Sequence, residues 1–214
     1  MSSLSPDQHS HALAARFLAQ DDPTGWFEPL YAQAAAGEAR LPWHRDEANP
    51  LLQEWIAGRS GAGKSAVVIG FGTGADAEHV ASLGYRTTAF EISQTAVVTA
   101  RERWTGSPVD YLRADLLDLP ESWHHRFDLV VEILNVQALP LSLRAEATAG
   151  VRSLVAPGGT LVVICRIRAD HDVEPDGPPW PLSRQEIEAF GEDLTLINLE
   201  TVGDGGWWRA EFTR

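Results

Sequence analysis

The chain has 214 residues, of which 44% are hydrophobic and 22% are charged, and its formal net charge is −13. This balance predicts a globular protein with a sizeable core, and such acidity argues against a nucleic-acid partner because the chain would repel a phosphate backbone. The single Cys165 excludes an internal disulfide and a zinc site built on several cysteines.

The first sixty residues predict helices. The opening MSSLSPDQHSHALAARF lacks the basic start and apolar block of a signal peptide, and no run is apolar enough to span a membrane. We therefore expect a cytoplasmic protein with no membrane partner. Apolar side chains on one side predict a helix over 8–20. A Trp-rich segment follows, and then Asn49-Pro50, an N-cap with proline at the first helical position, predicts a helix over LLQEWIA.

The stretch GRSGAGKS, from Gly58 to Ser65, matches the spacing G-x-x-x-x-G-K-[ST] of a phosphate-binding loop. Such a loop needs a strand before it and a helix after it, so that its amides and the helix N-terminus converge on phosphate. Here a predicted helix precedes the stretch and the apolar run AVVIG, a predicted buried strand, follows it. We therefore interpret GRSGAGKS as a surface connector.

The next segment, AVVIGFGTGADAEHVASLG, predicts a strand, a glycine turn and a helix. Glycines suit a place where the chain bends sharply and a ligand approaches the backbone. RTTAFEIS then predicts a second strand with Glu91 at its carboxyl end. A carboxylate there can accept hydrogen bonds from the two hydroxyls of an adenosine ribose.

Strands and helices continue to alternate. SQTAVVTARERW predicts a helix capped by Ser93, VDYLR and FDLVVEIL predict strands, and a helix over roughly 140–155 precedes the turn APGG and the strand TLVVICRI. LSRQEIEAFG predicts a short helix capped by Ser183, and the C-terminal residues predict a hairpin around GDGG. Five strand–helix units and a hairpin predict an α/β fold with a doubly wound, Rossmann-like sheet and an antiparallel edge.

Two enzyme classes share this glycine turn: nicotinamide-dependent oxidoreductases and methyltransferases that use S-adenosylmethionine. The terminal hairpin favours the second class, as does RADLLDLP, where Asp115 could accept the adenine amine and Leu116 could pack on the ring. The chain also lacks a Tyr-x-x-x-Lys pair for hydride transfer. An oxidoreductase, and a cofactor-binding regulatory module without turnover, stay open as alternatives.

Over nearly its whole length the chain resembles class I methyltransferases, through VVIGFGTGAD, AFEIS, YLRADLLDLP, FDLVVEIL and LVAPGGTLVV. LPWHRDEANPLL, LPLSLR and DGPPWPLSRQEIEAF resemble the thiopurine and thiol/halide methyltransferase branch. The resemblance implies one domain over 1–214, with an N-terminal helical lid over 1–60 and a seven-stranded core over 66–214. The tandem Trp and the Pro-Leu-Cys-Gly-Lys loop of the thiopurine enzymes are absent, which leaves the substrate open.

The resemblance also implies a cofactor site without a metal. The glycine turn would wrap the methionine part of the cofactor, Glu91 would hold the ribose, and Ile92, Asp115 and Leu116 would frame the adenine. Glu132 would lie near the amino-acid end of the cofactor or form a solvated strand end, and Trp43 would cover the cofactor or simply pack the lid. The predicted cofactor-binding residues are Trp43, Gly70, Phe71, Gly72, Thr73, Gly74, Glu91, Ile92, Asp115, Leu116 and Glu132.

The acceptor is expected to be a small molecule, bound by a monomer or a homodimer. The resemblance to the thiopurine branch implies that Arg144 could orient an anionic or polar acceptor, and the alternative is an exposed helix arginine. His44 is the best-placed general base, although most lone histidines have no catalytic role. The predicted acceptor pocket consists of Trp26, Pro178, Pro179, Trp180 and Trp208. Because a thiolate needs no base, the lack of an obvious one favours a sulfur or other soft acceptor.

Overall fold

The computed structural model describes residues 5–169 and 177–214. The sequence predictions on 1–4 and on Asp176, the first residue of DGPPWPLSRQEIEAF, lie outside the described residues. None of the described helices is long and apolar enough to cross a membrane. The division into a lid over 1–60 and a core over 66–214 of one domain stays a prediction.

Seven strands form one sheet with the order β3-β2-β1-β4-β5-β7-β6. Strands β1 to β5 pair in parallel, and β7 pairs antiparallel with both β5 and β6. The predicted doubly wound sheet with its terminal hairpin is therefore confirmed. The strands are β1 (Ser65–Ile69), β2 (Arg86–Glu91), β3 (Asp110–Arg113), β4 (Phe127–Ile133), β5 (Val155–Arg166), β6 (Thr195–Val202) and β7 (Trp207–Thr213).

Seven helices accompany the sheet in the described residues: α1 (Pro6–Leu18), α2 (Phe27–Ala35), α3 (Pro50–Ile56), α4 (Ala75–Ser82), α5 (Gln94–Arg103), α6 (Leu141–Ser153) and α7 (Arg184–Glu188). The predicted caps are present, since the side chains of Asn49, Ser93 and Ser183 accept from backbone amides at the starts of α3, α5 and α7. Helix α2 was not predicted. The predicted turn APGG lies within the irregular first half of β5.

Two apolar layers cover the faces of the sheet, and a third cluster builds the lid. Leu52 and Ile56 of α3 pack with α4 and α5 on one face, while α6 and the segment around Phe190 pack on the other. In the lid, Trp26 and Leu30 are buried against α1, and Trp43 packs on that cluster. The lid thereby places aromatic side chains over the carboxyl ends of the strands.

Core packing gives a direct test of the sheet. Leu161 of β5 is fully buried, whereas Leu196 of the edge strand β6 is 39% exposed. Leu161→Ala should lower the free energy of unfolding by about 2–5 kcal/mol, while the matched control Leu196→Ala should change it by about 0.5 kcal/mol or less. Urea unfolding followed by Trp fluorescence measures both, and equal effects would contradict the assigned register.

Candidate active site

The glycine turn between β1 and α4 has left-handed backbone at Gly70, Gly72 and Gly74, with φ of 52°, 60° and 90°. Residues with a Cβ adopt these angles at a cost, which explains the glycines. A Cβ added to Gly72 would lie 3.3 Å from the indole of Trp43, so the lid reaches directly over the turn. At Gly74 the added Cβ would meet Tyr111 and Trp104 instead.

The carboxylate of Glu91, at the end of β2, is only 7% exposed. It accepts hydrogen bonds from the Tyr31 hydroxyl at 2.9 Å and the Ile92 amide at 3.0 Å. The Trp43 indole N–H donates to the same Tyr31 hydroxyl at 3.0 Å. Burial raises the pKa of Glu91, and the hydrogen bonds from Tyr31 and Ile92 act in the opposite direction. A carboxylate thus held can accept from ligand hydroxyls as well.

A cavity of about 490 Å³ opens between the lid and the carboxyl ends of the strands. Such a volume suits a small-molecule site. Of the residues predicted from the sequence, those on its wall are Trp26, Trp43, His44, Gly70, Phe71, Gly72, Thr73, Glu91, Ile92, Asp115, Leu116, Pro178 and Pro179. The residues predicted for the site that are not on its wall are Gly74, Glu132, Arg144, Trp180 and Trp208.

Glu132 is neither a solvated strand end nor part of the cavity wall. Its side chain is fully buried and accepts from the Val136 amide at 2.7 Å and the Asn135 amide at 3.3 Å. Burial raises its pKa to about 7. The neighbouring Asn135 lines the cavity instead, and its amide donates to the Ile69 carbonyl at 2.8 Å. Glu132 therefore shapes the turn after β4 and does not face a ligand.

Arg144 is not at the acceptor position that the sequence suggested, nor is it an exposed helix arginine. Its guanidinium is buried, pairs with Glu186 at 3.0 Å and donates to the Trp180 carbonyl at 3.0 Å. Arg168 also pairs with Glu186. These interactions connect α6 and α7 to the segment after Pro179. Arg144 therefore stabilises the cavity wall without lying on it.

Trp208, which was predicted for the acceptor pocket, does not line the cavity, but its neighbour Trp207 does. Trp208 is buried and donates to the Leu182 carbonyl at 3.0 Å, whereas Trp207 lines the cavity. Successive side chains of a strand point to opposite faces, so the pair WW places one ring in the core and one at the site. Trp180 is likewise buried, and its amide donates to the Gln137 carbonyl at 2.7 Å.

His44 lies on the cavity wall with its side chain about half exposed, and its Nε2 is 3.4 Å from Asp46. Other wall residues were missed from the sequence: Tyr31, Asp76, Asn135, Gln137, Arg166 and Trp207. A signal existed for Asn135 and Arg166, because both are polar residues at the carboxyl ends of strands, where ligands bind in open α/β sheets. Tyr31 lies in the helix that was not predicted.

The wall fits an adenosyl cofactor. The glycine turn exposes its backbone to the cavity, the Glu91 carboxylate lies beside it as a hydrogen-bond acceptor, and Asp115 lies at the end of the next strand, with Oδ1 accepting from the Leu117 amide at 2.9 Å. Among the described residues no group of three or more metal-ligating side chains is present. Binding of the cofactor by these particular residues stays a prediction.

Comparison with known proteins agrees with this geometry. Residues 66–159 match the methyltransferase domain model. A probable thiol methyltransferase of Arabidopsis thaliana is 25% identical, over 85% of this chain and 77% of that protein. A ubiquinone biosynthesis O-methyltransferase of Aromatoleum aromaticum is 30% identical over 64% of this chain, which spans about half, 53%, of that enzyme. The N-methyltransferase NodS of Bradyrhizobium japonicum, solved with S-adenosylhomocysteine, shares the fold, with a TM-score of 0.63, 20% identity and coverage of 96% and 98% of the two chains.

The fold, the site and these likenesses define a class I methyltransferase that uses S-adenosylmethionine. Within that class the chain is similar to thiol methyltransferases, as its 25% identity to the Arabidopsis protein shows.

Removing the Glu91 carboxylate should weaken cofactor binding. If it accepts hydrogen bonds from the ribose, Glu91→Ala should reduce the affinity for S-adenosylhomocysteine by about 1.5–3 kcal/mol. Calorimetric titration measures this, and Glu102→Ala, which removes an exposed carboxylate from α5, is the matched control. Equal affinities for all three proteins would contradict the assignment.

Glu132 should make stability depend on pH. Its pKa is raised from 4.5 to about 7 in the folded state, so between these values the folded protein binds more protons than the unfolded chain, and stability falls as pH rises. Relative to Glu132→Gln, wild type should lose about 3 kcal/mol between pH 4.5 and pH 8. Urea unfolding across this range measures the difference, and Glu102→Gln serves as the control. A pH-independent difference would contradict the shifted pKa.

Proposed function

We propose that the protein transfers a methyl group to the sulfur of a small thiol acceptor. The observation that carries this proposal is the composition of the cavity where it meets β5 and β7. The wall residues that β5, β7 and the segments 137–139 and 178–179 contribute are Gln137, Ala138, Leu139, Arg166, Pro178, Pro179 and Trp207. None of them is a carboxylate or a histidine that could act as a general base. An acceptor bound beside them would therefore have to be nucleophilic without losing a proton to the protein.

Thiols meet that requirement better than alcohols or amines. A few per cent of an ordinary thiol is thiolate at neutral pH, and the thiolate is strongly nucleophilic. A hydroxyl needs a base within hydrogen-bond reach. The histidine of the wall, His44, is about half exposed and lies beside Asp46 in the N-terminal segment. The name of the Arabidopsis relative supports a sulfur acceptor.

The donor would lie against the glycine turn, with Glu91 accepting from the ribose and Trp43 closing the cavity above Gly72. When bound, S-adenosylmethionine supplies an activated methyl group, which the acceptor sulfur takes up while the electron pair of the broken carbon–sulfur bond stays with the donor sulfur. A Trp face also attracts a sulfonium cation, by roughly 0.5–2 kcal/mol. The contribution of the chain is therefore positioning, which can remove about 7–11 kcal/mol from a barrier.

A matched panel tests the acceptor. Purified protein with S-adenosylmethionine should methylate benzenethiol and leave phenol and aniline unchanged, as measured by mass spectrometry of the products. With an aliphatic thiol the rate should rise with pH in step with the ionisation of that thiol, because no protein base is needed. Glu102→Ala should behave like wild type. Methylation of phenol or aniline but not of benzenethiol would overturn the proposal.

A further inference from the structure

Arg166 is a charged side chain on the cavity wall for which the chemistry above has no use. It is the last residue of β5, and its guanidinium lies 3.9 Å from the ring centre of Trp207, the first residue of β7. Both side chains line the cavity. Stacking of this kind holds the guanidinium in place while its N–H donors stay available at the edges of the plane.

Several nearby arginines form ion pairs with carboxylates of the chain, whereas Arg166 forms none with the residues that the structure describes. Arg144 and Arg168 both pair with Glu186, and Arg209 pairs with Glu54 and Glu200. Within 5–169 and 177–214, no carboxylate lies at ion-pair distance from Arg166. Arg166 is an exposed residue that contributes to the cavity wall, and its guanidinium has no ion-pair partner among the described residues, although Asp204 lies nearby in the turn before β7.

The backbone at Arg166 is also fixed. Its amide donates to the side-chain carbonyl of Gln137 at 2.8 Å, and its carbonyl accepts from the Leu182 amide at 3.0 Å. Gln137 is buried and lines the cavity next to this strand end. With the backbone and the guanidinium both held, little freedom is left to lose when an anion binds, which favours binding.

The sheet order puts Arg166 on the acceptor side. Glu91 on β2 and Asp115 after β3 lie on one side of β1, so a donor on the glycine turn would extend that way. Strand β5 lies on the other side, two strands from β1 and thus roughly 10 Å away. The donor methyl group and the acceptor sulfur would therefore meet in the part of the cavity that lies between the glycine turn after β1 and the end of β5.

We propose that Arg166 is a specificity-determining residue that pairs with a negatively charged group of the acceptor, so that the enzyme prefers anionic thiols to neutral ones. This inference rests on the proposed function and adds the substrate class. A planar guanidinium recognises a carboxylate through two parallel N–H···O bonds, and the flanking Pro178, Pro179 and Trp207 leave room for the apolar part of the molecule.

The test compares two acceptors that differ only in charge, 3-mercaptopropionate and 3-mercaptopropanamide, with rates corrected for the thiolate fraction. Wild type should show a higher kcat/KM for the carboxylate. Arg166→Gln should reduce the carboxylate-to-amide ratio by about 10- to 100-fold, and Arg166→Lys should restore part of it. Arg184→Gln changes the net charge equally at an exposed position and should leave the ratio unchanged.

Titration with S-adenosylhomocysteine shows whether each variant is folded and where Arg166 acts. If Arg166→Gln keeps the affinity for S-adenosylhomocysteine and shows a reduced carboxylate-to-amide ratio, the proposal is supported. An unchanged ratio overturns it, as does a loss of cofactor affinity without a change in acceptor discrimination.

If neither thiol is methylated, the proposed function fails. Binding of the same two compounds to the complex with S-adenosylhomocysteine then still decides the role of Arg166. Preferential binding of the carboxylate that Arg166→Gln abolishes supports it, and equal binding overturns it.

Discussion

The buried carboxylate of Glu91 ties the lid to the sheet. A carboxylate is costly to bury unless donors satisfy it, and one donor here, the Tyr31 hydroxyl, comes from a helix sixty residues earlier in the chain. Burial raises the pKa of Tyr31 far above its ordinary value, so this hydroxyl keeps its proton to donate. Because Trp43 bonds to the same hydroxyl and also covers Gly72, three side chains join the lid, the acidic strand end and the glycine turn. The shape of the donor side of the cavity depends on this connection.

The acceptor side is held by a different set of interactions. Glu186 caps α7 by accepting from the Ser183 amide at 2.7 Å and also pairs with Arg144 and Arg168. These contacts join α6, α7 and the end of β5 but include no residue of the lid. Since none of these contacts involves Glu91, Tyr31 or Trp43, the acceptor wall can change without removing the hydrogen bonds that hold Glu91. This separation explains how related enzymes with one donor site can serve different acceptors.

The features that could be predicted from the sequence are those that depend on residues close together in the chain. Strand–turn–helix order gave the sheet, and the strand ends placed Glu91 and Asp115 at the cavity. The errors concern long-range choices. Arg144 finds its partner Glu186 42 residues away, and no local pattern indicates this. Choosing Trp208 over Trp207 required the register of β7 against β5, which pairs Arg166 with Trp207 and Cys165 with Trp208. Glu132 was misplaced because a carboxylate at a strand end can turn inward to bond to the amides of the next turn.

The two glycine-rich stretches show why sequence pattern alone does not make a ligand site. In GRSGAGKS the Gly61 amide donates to the Leu83 carbonyl, and the Lys64 amide donates to the Gly61 carbonyl. These two amides are therefore already hydrogen-bonded within the protein. The stretch also precedes β1, at the amino end of the parallel strands, where no helix N-terminus follows. The turn at Gly70 leaves the same strand at its carboxyl end and leads into α4, beside the ends of β2 and β4. Parallel strands gather their connecting turns and helix N-termini at that one edge. The direction of β1 therefore decides which of two similar glycine patterns faces the cavity.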